Sequence, residues 1–68
     1  MLVDVRDMLC AQALAVVARA IGPLAPGQGV DVRVNAPDVT HDLLVWAASR
    51  GFEVREIGPG TLHLHRMG

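Results

Sequence analysis

The five residues Val30-Asp31-Val32-Arg33-Val34 alternate apolar and charged side chains without a break, and a period of two belongs to a β-strand with one buried and one wet face. Glu53 and Arg55 within Phe52–Ile57, and His63 and His65 within Thr61–Arg66, interrupt apolar residues in the same way. Strands of a parallel sheet covered on both sides read instead as continuous apolar runs. The sheet these segments build is therefore covered on one face only, and its helices must share that face.

Two segments supply the cover. From about Cys10 to Ile21 the apolar positions Cys10, Leu14, Val17, Ala18 and Ile21 follow helical spacing among further alanines, and Gly22-Pro23 ends the run. Asn35-Ala36-Pro37-Asp38 offers a cap and a first-turn proline to a second helix, whose Val39, Leu43, Trp46 and Ala47 share a stripe and whose stop is Gly51. That stripe places Trp46 between helix and sheet. Leu2–Arg6 opens the chain as a strand with Val3 and Val5 on one side, and Gly58-Pro59-Gly60 joins the last two strands as an antiparallel hairpin. The order β-α-β-α-β-β over residues 1–68 reads as one domain, an α/β two-layer sandwich with an open, charged sheet surface. Arg6, Arg33, Arg55 and Arg66 interleave there with Asp4, Asp31, Glu53 and Glu56, so cross-strand pairing is expected.

A chain of 68 residues has room for one core, and 51% hydrophobic against 19% charged residues excludes a disordered tail. All six basic residues are arginine and seven acids leave a formal charge of -1, so direct nucleic-acid binding is not expected. The apolar runs Ala13–Ala18 and Leu43–Ala48 fall far short of the ~18 residues of a membrane span. The opening Met1-Leu2-Val3-Asp4-Val5-Arg6 lacks the basic and apolar regions of a secretory signal, and a cytoplasmic protein is expected.

One cysteine cannot form an internal disulfide, and Cys10 lies where a strand gives way to a helix. Free N–H groups at a helix start favour a thiolate, which suits a nucleophile. Cys10 also shares its spacing with Leu14, Val17 and Ile21, as a small buried hydrophobe would. Asp7 opposes ionisation by like charge; if the helix start prevails, the thiol pKa falls below the ~8.5 of free cysteine. His63 and His65 sit two apart on one strand face, but two imidazoles are short of the three or four ligands of a zinc site, and His41 lies on the second helix. No metal site is expected.

Asp4-Val5-Arg6-Asp7-Met8-Leu9-Cys10-Ala11-Gln12-Ala13 resembles the start of the TusA/SirA family of small sulfur carriers, in which a strand carrying Asp precedes Gly-Leu-x-Cys-Pro-x-Pro. Leu24-Ala25-Pro26-Gly27-Gln28, Asn35-Ala36-Pro37, Asp42-Leu43, Trp46 and Gly51-Phe52 are similar to the family's later positions, in the same order and at compatible spacing. The glycine is replaced by Asp7 and the prolines by Ala11 and Ala13. Prolines in a first helical turn are expected to cost no intrahelical hydrogen bond.

The resemblance implies a mixed four-stranded sheet with both helices on one face and the last strand between the second and third. It also implies a catalytic Cys10 that takes a sulfane sulfur from a donor protein as a persulfide and passes it to an acceptor protein, without a cofactor. The alternative is a non-catalytic interaction or regulatory module in which Cys10 only packs.

Overall fold

The computed structural model describes residues 2–67. It contains β1 (Leu2–Asp4), α1 (Cys10–Ile21), β2 (Gly29–Arg33), α2 (Pro37–Ser49), β3 (Phe52–Gly58) and β4 (Thr61–Arg66). The sheet has the order β1-β2-β4-β3, with β1 parallel to β2 and β4 antiparallel to both its neighbours. This is a two-layer α/β sandwich, as the alternating strands and the family resemblance led us to expect.

Period-two patterning explains which face is covered. Val3, Val30, Val32, Leu62, Leu64 and Phe52 are buried in one cluster with Val17 and Ile21 of α1 and Val39, Leu43 and Ala47 of α2. On the other face the register sets His63 between Asp31 and Arg55, and His65 between Gly29 and Glu53. At the hairpin, Gly60 has φ 71°, and a Cβ there would meet the Val34 carbonyl at 2.9 Å, so glycine is required on two counts.

Three packing expectations change. The buried face of α1 is Ala13, Val17 and Ile21, with Cys10 and Leu14 half-buried and Ala18 exposed. Nearly every residue of this helix is apolar, so periodicity alone admits two overlapping stripes; the sheet takes the one whose small Ala13 permits close approach. Trp46 is half-buried at the margin, with the Arg50 guanidinium 5.3 Å from its ring centroid, because Val39, Leu43 and Ala47 already fill the face of α2 towards the sheet. The ion pairs Arg6–Asp4 (2.8 Å) and Arg55–Glu53 (3.4 Å) join residues two apart along the chain, whereas Asp31–His63 (2.7 Å) crosses strands. Glu53 and Arg55 share a face of β3 and meet without help from a neighbour. β1 stops at Asp4, short of the expected Arg6, and Arg6 turns back so that its backbone N–H also donates to Asp4 Oδ1 at 3.0 Å.

Leu43 is fully enclosed and the adjacent Leu44 is 39% exposed. Leu43→Ala should cost about 2–5 kcal/mol, most of the stability of a domain this small. Leu44→Ala should cost about 1 kcal/mol at most. Urea unfolding followed by circular dichroism checks the contrast.

Candidate functional site

The segment between β1 and α1 is shaped at Asp7. Its φ is 64°, a left-handed conformation that Asp and Asn tolerate better than other side chains, and it stands where the resembling motif has glycine. The turn is locked from both sides: the Asp7 backbone N–H donates to Asn35 Oδ1 at 2.9 Å, and Asn35 Nδ2 donates to Asp7 Oδ1 at 2.7 Å. Asn35 precedes α2, so this reciprocal pair ties the approach to one helix to the approach to the other. It also removes both residues from capping. The N-cap positions are Leu9 and Ala36, neither with a side-chain cap bond, in place of the cap expected from Asn35.

Cys10 is the first residue of α1 and is half-buried; Leu9 beside it is 79% exposed. The Cys10 Sγ lies 3.7 Å from Asp38 Oδ2 in the first turn of α2. Asp42 lies one turn further along that helix. A hydrogen bond to the Asp42 carboxylate, partial desolvation, and then the negative charges of Asp38 and Asp42 push the Cys10 thiol up to about 11. This reverses the expectation of a depressed pKa. The sequence drew attention to Asp7, which turns towards Asn35, whereas the carboxylates that meet the sulfur come from a helix 28 residues away. The motif Asp42-Leu43 was visible, but its approach to Cys10 depends on how the helices pack.

The two replaced prolines are not equivalent. Ala11 is exposed, and its N–H falls among the first-turn donors that have no helical acceptor. Ala13 is fully buried and its N–H donates to the Leu9 carbonyl at 2.8 Å, the bond that closes the first turn. A proline at position 13 would therefore remove a bond, contrary to the reading that neither site uses one.

His63 and His65 lie on the open sheet face, their rings stacked 6.5 Å apart, and His63 Nδ1 is 2.7 Å from Asp31 Oδ1. The structure does not bring them to Cys10, which sits in the helical layer. No group of three His, Cys, Asp or Glu side chains among the described residues could hold a metal ion. No helix among them is long and apolar enough to cross a membrane.

Fold and site together describe a small α/β sandwich with one free thiol at a helix start, beside an exposed apolar residue. The family model Sulfurtransferase TusA matches residues 1–65, nearly the whole chain, and the chain belongs to that family. Comparisons with curated proteins and with solved structures give no match.

Two sets of variants check the geometry. Asp38→Asn and Asp42→Asn should each speed alkylation of Cys10 at pH 8, by about three- to fourfold for each unit the pKa falls, since thiolate gained outweighs nucleophilicity lost. Asp7→Asn, which keeps a carbonyl for Asn35, should leave the rate unchanged. In thermal unfolding Ala11→Pro should be neutral, whereas Ala13→Pro should cost about 1 kcal/mol or more.

Proposed function

We propose that the protein is a sulfur-relay carrier that holds a persulfide on Cys10, the observation that carries this reading being a single half-buried thiol at the start of α1 in a chain matched over residues 1–65 by a sulfurtransferase family. The Cys10 thiolate attacks the outer sulfur of a donor protein's persulfide. A new S–S bond forms to Cys10 as the donor's S–S bond breaks, and the donor leaves as a thiolate. In the second step an acceptor thiolate attacks the outer sulfur and Cys10 departs as thiolate, to be reprotonated. No net oxidation occurs and no cofactor is needed. With no second cysteine in the chain to resolve the persulfide, the sulfur must pass to another molecule.

Exposed Leu9 and the first turn of α1 form the surface on which donor and acceptor proteins dock, and the cytoplasm, where thiols stay reduced, is the compartment that suits a lone cysteine. Asp38 and Asp42 keep Cys10 protonated in the free chain, so exchange is slow until a partner's cations neutralise them. That same raised pKa is what favours the second reading, a non-catalytic interaction module with a packing cysteine.

Incubation with a persulfide donor separates the two. The carrier gains the mass of one sulfur atom, loses it under reductant, and gains none as Cys10→Ser. A wild-type chain that stays unmodified by several donors leaves the module reading in its place.

A further inference from the structure

At the end of α1 remote from Cys10, about 16 Å along its axis, Arg50 and Arg66 line a cavity of about 290 Å³ with Ala18, Ile21, Trp46 and Phe52. The Arg66 guanidinium lies 4.7 Å from the Phe52 ring centroid and that of Arg50 5.3 Å from Trp46, so both cations are supported by an aromatic face. Arg66 Nη2 donates to the Ile21 carbonyl at 3.3 Å, while its Nε is enclosed without an acceptor among the described residues. No Asp or Glu lines the cavity, and neither arginine has a carboxylate partner among those residues.

Two like charges brought to one cavity repel. An anion held between the two guanidinium groups offsets that repulsion. Guanidinium groups match oxyanions through paired donors, and two of them balance a doubly charged one. The volume sits at the small end of ligand cavities, and Ala18, Ile21, Trp46 and Phe52 make the remaining wall apolar. We propose that this cavity binds a tetrahedral oxyanion, as the free ion or as the head of a small ester. The site is separate from the thiol and does not depend on the sulfur-carrier reading.

The test is a ¹H–¹⁵N titration of the protein with sodium phosphate at pH 7.5, observing arginine Nε–H and backbone amide signals, against sodium chloride at matched ionic strength. Saturable shifts at Arg50, Arg66 and Gly22, which also lines the cavity, are expected with phosphate but not chloride. Arg50→Gln should weaken phosphate binding about tenfold. Arg66→Lys, which keeps the charge but loses the fork, should also weaken it, and Arg19→Gln, exposed on α1 outside the cavity, should not. A parallel arm with methyl phosphate distinguishes an ester from the free ion by which binds more tightly. Shifts that chloride reproduces, that do not saturate, or that Arg50→Gln leaves unchanged overturn the proposal, and the arginines are then only supports for the ends of α1 and α2.

Discussion

A sheet that can be covered on one face only decides where everything else in this molecule goes. Asp31, Arg33, Glu53, Arg55, His63 and His65 keep the other face in water, so α1 and α2 are forced into one layer against Val30, Val32, Leu62 and Leu64. β1 and β2 are parallel neighbours, and each is followed directly by a helix. Both helices therefore begin at the same edge of the sheet and run in the same sense. The first turn of α1, with Cys10, then lies beside the first turns of α2, with Asp38 and Asp42, and the Asp7–Asn35 pair clasps the two approaches.

That neighbourhood sets the chemistry. A helix start by itself favours a thiolate, but its partial positive charge is outweighed by two full carboxylate charges at close range, one of them 3.7 Å from the sulfur. The thiol is thereby guarded: the sulfur lies next to exposed Leu9, while its reactive form is held in short supply. An alanine at position 11 leaves the turn intact. At position 13 an alanine gives α1 both a first-turn hydrogen bond and a small residue against the sheet.

Most of the fold was legible in the sequence because it rests on local patterns. Val30–Val34 announced a one-sided strand, Cys10–Ile21 matched α1 at both ends, and Gly51 stopped α2 with φ 81° as a left-handed residue. The resemblance supplied the placement of β4 between β2 and β3. What failed were contacts between segments distant in the chain. Asn35 read as a helix cap from its neighbours, yet its side chain is spent on Asp7. Asp7 read as the charge that opposes the thiolate, yet that part belongs to Asp38 and Asp42. In α1 the abundance of alanine and valine blurred the stripe, so Ala18 stood in for Ala13. The first two errors share one physical origin: side-chain partners across 28 residues are chosen by tertiary packing, which no local spacing records.

The central claim is that the packing of α2 against α1, rather than the helix start alone, governs the state of the thiol. Its most direct measure is the ¹³Cβ chemical shift of Cys10 in the wild-type protein, followed by NMR from pH 6 to 12 in the folded range. The account predicts a single titration with its midpoint at about 11. A midpoint at or below the ~8.5 of a free cysteine contradicts it.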